Sequence, residues 1–366
     1  MSDAVRLYQV ILNTLEQTQP NMLAKNRSTL AMLITGMLRS KSGQLDHIAR
    51  TVHYAFNRPS LVERFRRFVR NKNIVVDVEF NPFVLLYLAA LNQERLILMI
   101  DSTKIGGNCV CLMISVYYKS RALPLVWVVR KGRKGHTTQE AQLALFKTAR
   151  ELLPADSHII LLGDGEFDGS QVVQWFESQN WQYVCRTADT NLIEYQGQWV
   201  ALNQLPLQPG QEQFLTNVQF TQAHPVGPLH ILVVWNAAKQ CHWFFVTNCH
   251  TQTEAQAWYT KRFTTETLFS DVKGRGFRLH QTRLKDPARV SRLIMVGAMA
   301  YVFTVFLGVQ SLISGAFRRL VRTDAFYHSL FQLGLIYLEH LLNEELKFPN
   351  LSPFPDPATF DHVVIS

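Results

Sequence analysis

Two short, almost uninterrupted apolar runs, each followed by an aspartate, constrain this chain most. Leu96-Ile-Leu-Met-Ile100 leads into Asp101, and His158-Ile-Ile-Leu-Leu162 leads through Gly163 into Asp164. Runs this short, without polar alternation, fit strands buried on both faces, the central strands of an α/β sheet. Around them, Val110–Tyr118 and Leu123–Val129 read as strands, Thr137–Leu153 and Ser170–Gln179 as helices, and Trp181–Arg186 as another strand. The order β-β-β-α-β-α-β predicts a mixed sheet flanked by helices. Open α/β sheets place their sites at the carboxyl ends of strands. A carboxylate there is costly unless paired, solvated or bound to a cation. Two such carboxylates side by side stay ionised only with a cation between them, and an oxygen-rich site suits Mg²⁺ or Mn²⁺. Each aspartate taken alone also reads as a cap of the turn or helix that follows.

The flanking segments have other periods. Residues 1 to about 95 read as helical. Ser28–Leu38 is an apolar helix opened by a Ser/Thr cap, Leu45–Val52 is a short helix, and Ser60-Leu-Val-Glu63 has the spacing of a capping box. The helix it opens sets Leu61, Phe65 and Phe68 on one face, with Arg64, Arg66, Arg67 and Arg70 on the rest. Short helices ending in an arginine-rich one fit a helix-turn-helix-like DNA module as well as a solvated basic face. From 187 to about 253, Leu192–Tyr195, Gln213–Phe220, Leu229–Trp235 and His242–Thr247 alternate with turn residues, an all-β insertion. Helical periodicity then returns to about 345, before an extended Pro-rich tail. Leu293–Gly315 holds no charged residue over 23 positions, long enough to span a bilayer. Thr304, Gln310, Ser311 and Ser314 interrupt it and it stands alone, so it is read as a helix buried on all sides of a large core. No membrane partner is expected.

Charge is distributed unevenly. The chain carries 37 Lys and Arg against 28 Asp and Glu, a net charge of +9 over 366 residues. Residues 1–80 hold +6 and residues 259–292 another +6, leaving the rest at −3. Two basic blocks are expected where two surfaces meet phosphates. An apolar content of 47% excludes a disordered chain. Five cysteines without a C-x-x-C spacing fit a reducing compartment.

A third element completes the constellation. In Tyr259-x-x-Arg262-x-x-x-Glu266-x-x-x-x-x-x-Lys273, an ideal helix projects all four side chains from one arc of about 60°. Surface helices seldom gather Tyr, Arg, Glu and Lys on one stripe, although Arg262–Glu266 alone reads as an ordinary i,i+4 pair. With Asp101 and Asp164, this spacing resembles the DDE-type transposases of bacterial insertion sequences, in the group marked by a Tyr-Arg-Glu-Lys signature. The resemblance covers roughly residues 25 to 310.

That resemblance implies an RNase H-like fold with a β-rich insertion before the catalytic glutamate. It divides the chain into a helical DNA-binding domain (1–95), a catalytic domain (96–320) interrupted at about 187–253, and a helical and extended tail (321–366). It implies that Asp101, Asp164 and Glu266 are catalytic and hold two Mg²⁺ or Mn²⁺ ions. They would cleave transposon ends and transfer the freed strand to target DNA. Arg262 and Lys273 would hold phosphates, and Tyr259 would act near the same strand. Members of the group often pass through a DNA hairpin with an extruded base, and Trp243 falls at the position that stacks on it. Arg64 and Arg67 are candidate DNA contacts. The partners implied are double-stranded DNA and a second copy of the chain in a synaptic complex, and the compartment is the cytoplasm. An RNase H-like nuclease that cleaves without joining, and an inactive transposase-derived DNA-binding protein, remain as alternatives.

Some features stand apart from the pattern. Positions 165–167 read Gly-Glu-Phe where many relatives carry an arginine directly after the second aspartate. Asp168 is expected to cap the helix after Gly169. Lys131-Gly-Arg-Lys-Gly-His136 is a basic loop that reads equally as a DNA contact or as solvated. Cys241-His242 and Cys249-His250 bracket one strand, too far apart for a shared zinc ion. Thr323–Leu346 is read as a remaining helical assembly surface.

Overall fold

The computed structural model describes residues 2–52, 57–91, 94–135, 137–322, 327–350 and 354–360. Five helices come first: α1 (Asp3–Thr18), α2 (Ala24–Ser40), α3 (Leu45–Thr51), α4 (Arg58–Arg70) and α5 (Val76–Leu88). They lead into β1 (Arg95–Ile105), β2 (Cys109–Tyr118), β3 (Arg121–Lys131), α6 (Gln139–Leu152), β4 (His158–Gly163), α7 (Ser170–Ser178) and β5 (Gln182–Thr187). The β-β-β-α-β-α-β order is therefore present. These runs are buried along nearly their whole length, as strands covered on both faces must be.

Five further strands follow: β6 (Leu192–Tyr195), β7 (Gln198–Ala201), β8 (Gln213–Phe220), β9 (Val226–Asn236) and β10 (Cys241–Thr247). All ten strands form one sheet in the order β3-β2-β1-β4-β5-β10-β9-β8-β6-β7. The predicted insertion thus extends the central sheet, because β10 pairs antiparallel with β5, Val246 opposite Cys185. Only β1–β4 and β4–β5 run parallel. A β3-β2-β1-β4-β5 core with an antiparallel β2 is the RNase H-like arrangement.

Two helical starts differ from the sequence reading. α2 begins at Ala24, four residues before the expected Ser28 cap. The capping box at Ser60 does not form: Asn57 accepts the Ser60 amide, and Pro59 occupies the first turn. Proline is favoured there because its missing N–H has no partner in a first turn. Leu61, Phe65 and Phe68 are all buried, as their spacing predicts.

Beyond the sheet run α8 (Gln252–Tyr259), α9 (Phe263–Ser270), α10 (Pro287–Ile313), α11 (Phe317–Leu320) and α12 (Leu330–Asn343). α10 is long and apolar enough to cross a membrane, yet 94% of its most apolar window lies inside the protein. It packs against α2, α4, α5, β3 and α12, so no face needs a polar stripe. The expected assembly surface is largely spent in this way: Leu330, Phe331, Leu333, Leu338 and Leu341 of α12 are buried. Thr323 lies outside the described residues.

Candidate active site

β1 and β4 are parallel neighbours with Ile100 opposite Gly163. The next residues, Asp101 and Asp164, therefore lie side by side, about 4.8 Å apart at the backbone. Asp164 follows the last residue of β4, whereas β1 does not end at Asp101 but runs on to Ile105, paired with β2. Asp101 is 3% exposed. Its Oδ1 accepts from the Ser102 amide at 2.6 Å and from Lys134 Nζ at 2.8 Å. Its Oδ2 faces the Arg262 guanidinium at 3.9 Å. Asp164 is half-buried, and its Oδ1 accepts from the Glu166 amide at 3.2 Å. Burial, and then the Asp101 charge, hold the Asp164 carboxyl above the usual range. This is the signature of two anions crowded into one low-dielectric site.

The signature segment is not one ideal helix. α8 ends at Tyr259, a 3₁₀ turn spans Thr260–Arg262, α9 carries Glu266, and a π turn spans Asp271–Arg275. Isolated π turns are frequent at functional sites. Despite these breaks, the four residues remain near the two aspartates. Arg262, 7% exposed, donates to Glu266 Oε1 at 2.6 Å while facing Asp101. Lys273 donates to the Thr103 hydroxyl. Thr103 lies two residues beyond Asp101 on the same face of β1. Burial, and then Lys134, lower the Lys273 pKa. The Tyr259 ring packs edge-on against Phe245, 4.3 Å between centroids, and burial pushes its phenol up to about 12.

Trp243 is half-buried on β10. The Arg186 guanidinium sits 4.3 Å from its ring centroid and the Lys239 ammonium 5.7 Å. Its indole Nε1 is buried with no hydrogen-bond partner. Arg64 and Arg67 stand apart from this site, on α4. Arg64 turns inward, donating to the Thr29 hydroxyl at 2.8 Å and tying α4 to α2. Arg67 is 77% exposed and faces Glu63 at 3.8 Å.

Two residues, Lys134 and Arg186, enter the site without being singled out as members of it; Glu166, with Asp168, reads from the sequence as a candidate for a metal shell. Lys134 reaches Asp101 from the basic loop, whose composition alone leaves its destination open; His136 of that loop lies outside the described residues. Glu166 anchors the loop's end, accepting from the Thr137 amide at 2.8 Å and from the Ser102 hydroxyl at 3.3 Å. Arg186 lies within β5, opposite Phe245 of β10, a pairing that no local pattern announces. Asp168 does not cap α7, whose N-cap is Gly169 without a side-chain bond. It accepts instead from Thr187 at 2.6 Å and Asn191 at 3.0 Å, joining β5 to the loop that follows. The Cys-His pairs lie at opposite ends of β10. Among the described residues, no three His, Cys, Asp or Glu side chains gather as a metal set. Glu266 is paired with Arg262, at 2.6 Å.

Beneath Lys273, Asp271 is fully buried between Arg121, at 3.3 Å, and Arg275, at 3.9 Å, below the buried Tyr301. Burial outweighs both arginines and pushes its carboxyl from 3.8 up to about 6. The folded state therefore favours the protonated form. Its contribution is complete below pH 4 and is lost as pH rises through about 6, a change of about 3 kcal/mol. Thermal melts from pH 5 to 8 should show Asp271→Asn falling in stability less steeply than the wild type. Parallel curves would remove Asp271 from the account.

A family model described as Transposase DDE domain matches residues 93–303, more than half of the chain. No curated protein matches the chain in sequence. Among solved structures, it is similar to a piggyBac transposase in a synaptic complex with hairpin DNA. That likeness has 11% identity and a TM-score of 0.45, covering 94% of this chain and 80% of that one. It is also similar to Marinitoga piezophila Argonaute in complex with a 5′-OH guide RNA and target DNA. There the identity is 12% and the TM-score 0.23, over 69% of this chain and 38% of that one. Both likenesses are too distant to bear on activity. The family match needs neither of them: it spans both aspartate-bearing strands and the whole segment from Tyr259 to Lys273, and the chain belongs to the DDE-domain transposases.

Proposed function

We propose that this chain is an insertion-sequence transposase that cuts the ends of its element and joins them to target DNA with divalent cations. The observation that carries the reading is the pair of carboxylates side by side on adjacent parallel strands, Asp101 within β1 and Asp164 just past β4, with Arg262 linking Asp101 to Glu266. The donor set fits a hard cation. Asp101 and Asp164 offer only oxygen, repel one another, and draw in Lys134 and Arg262 as counter-charges. Asp101, Asp164 and Glu266 would hold Mg²⁺ or Mn²⁺, two ions in the full set, once Glu266 leaves Arg262. Ions bound there would activate the attacking water or 3′-hydroxyl and stabilise the leaving oxygen of an in-line displacement.

The chain's own cations have work that follows from their places. Arg262, freed of Glu266, and Lys273, above Thr103, are positioned to bind non-bridging phosphate oxygens where charge accumulates. Tyr259, packed on Phe245, offers its hydroxyl to the same strand. Trp243 offers an aromatic face to an extruded base, and Arg186 would move off that face when a base arrives. The enzyme would act on double-stranded DNA as a homodimer, in the cytoplasm.

The test uses the purified protein and a labelled duplex carrying the element's ends, with Mg²⁺ or EDTA. A nick exposing a 3′-hydroxyl at the end, abolished by EDTA, supports the cleavage step, and a joined product supports strand transfer. Cleavage without joining turns the reading to a nuclease. Binding without cleavage turns it to a DNA-binding remnant. Trp243→Ala tests the stacking role. Hairpin formation should fall roughly tenfold, at about 1–3 kcal/mol per stacked base, while the first nick persists. Equal loss at both steps would make Trp243 structural.

A further inference from the structure

We infer that an arginine cleft between α4 and the segment entering α10 binds the backbone of duplex DNA about half a helical turn from the scissile phosphate. The inference rests on the proposed DNA-cutting function and gives that function a second contact surface. The two basic blocks of the sequence are some 200 residues apart, yet the fold brings them together here. Arg66 and Arg70 come from α4, and Arg283 and Arg289 from the segment after the signature residues. Together they line a cleft of about 240 Å³.

The charge in this cleft is not neutralised within the protein. Glu63 is shared by three arginines, Arg66 at 3.6 Å, Arg67 at 3.8 Å and Arg70 at 3.6 Å. Arg289 meets only Asp286, at 4.0 Å. Arg283 is exposed and has no partner among the described residues. Asp46 at the cleft edge is taken by Arg58 at 2.6 Å and Arg50 at 3.0 Å. Four arginines thus line the cleft with Asp46, which Arg58 and Arg50 already occupy. Glu63, shared with Arg67, and Asp286 are the carboxylates left to them, and such an excess repels itself unless a polyanion enters. Planar guanidinium groups suit phosphate oxygens.

The cleft is also rigid. Buried Arg292 donates from α10 to the Val69 carbonyl of α4 at 3.2 Å and to the Ile74 carbonyl beyond it at 2.8 Å. One residue thereby fixes the two walls against each other, so little ordering is left for the ligand to impose.

Its distance from Asp101 follows from β1. The β1–β2 turn packs on the same segment: a Cβ at Gly106 would strike the Thr282 carbonyl, and one at Gly107 the Leu284 carbonyl. Six residues separate Asp101 from Gly107, about 20 Å along the chain. That spans about six nucleotides at 3.4 Å per step. A duplex with one phosphate at Asp101 would lay another across the arginines.

The experiment measures binding in EDTA, without cleavage, on the end duplex and on a random duplex, across a salt series. Arg283→Gln/Arg289→Gln should lower the slope of log affinity against log salt by about two, one per lost phosphate contact, on both duplexes. Lys147→Gln/Lys347→Gln, which removes the same charge elsewhere, should leave it near the wild-type value. For the wild type, methylphosphonates about six nucleotides from the cut should weaken binding, and the double variant should be indifferent to them. An unchanged slope in the arginine variant, or no effect of those methylphosphonates on the wild type, overturns the cleft assignment while wild-type cleavage keeps the function. A wild-type protein that neither binds nor cuts DNA overturns both.

Discussion

Glu266→Gln should reduce end cleavage roughly a thousandfold, the upper range for removing one element of charge stabilisation, with little change in stability. The reasoning turns on where the side chain sits. Glu266 is 54% exposed and its partner Arg262 is one helical turn away. Only the Arg262 end of the pair is buried, and Arg262 keeps Asp101 at 3.9 Å, so losing the Glu266 charge should cost the fold about 1 kcal/mol. A glutamine of the same size keeps one acceptor for Arg262, so the fold and DNA binding should survive. Asp101→Asn is the weaker probe despite its central place, because it leaves Lys134 and buried Arg262 without their shared anion. Activity and stability would then fall together. Single-turnover cleavage in Mg²⁺, beside a melt and a binding curve for the same preparation, separates the cases. Cleavage within tenfold of wild type would exclude Glu266 from the chemistry.

The second large effect concerns the fold. Gly334→Ala should cost about 3 kcal/mol, near the upper end for overpacking, although alanine ordinarily strengthens a helix interior by up to about 1 kcal/mol. A Cβ at Gly334 would run into the Thr304 carbonyl of α10, and one at Gly308 into the Leu330 carbonyl of α12. Backbone meets backbone at both places, so no rotamer change relieves the clash and the helices must separate. Gly297→Ala, in α10, is the contrast. Its new methyl would lie 2.8 Å from Leu279 Cδ1, the end of a flexible side chain that can turn away. Denaturant midpoints should therefore order wild type, Gly297→Ala and Gly334→Ala from most to least stable. Equal midpoints for the two variants would mean that α10 and α12 are not locked together.

The parts of the fold legible in the sequence are those where one local pattern admits one partner. β1 and β4 are apolar on both faces, so they must be central; Asp164 then stands just past its strand, while β1 runs on beyond Asp101 to Ile105. The stretch 293–315 has no polar stripe, so as part of a globular fold it must be enclosed. The parts that were not legible involve choices among equal local options. Ser60 and Asn57 are both good caps, and Pro59 decided between them. Asp168 had a helix to cap and a β5 loop to join, and took the loop. Among the arginines of α4, Arg64 turns toward Thr29 and Arg67 toward solvent, a difference that charge counting does not contain.

The central strands, the enclosed helix and the spacing that ties Tyr259, Arg262, Glu266 and Lys273 to one segment are written in the chain. Each rests on periodicity or burial, forces that act along a few consecutive residues. It takes the folded molecule to show that β10 joins β5 to continue the sheet, that Lys134 reaches Asp101, and that the two basic blocks share a cleft. These are meetings between distant segments. They depend on how strands order across a sheet and how helices pack, and no local pattern carries that information.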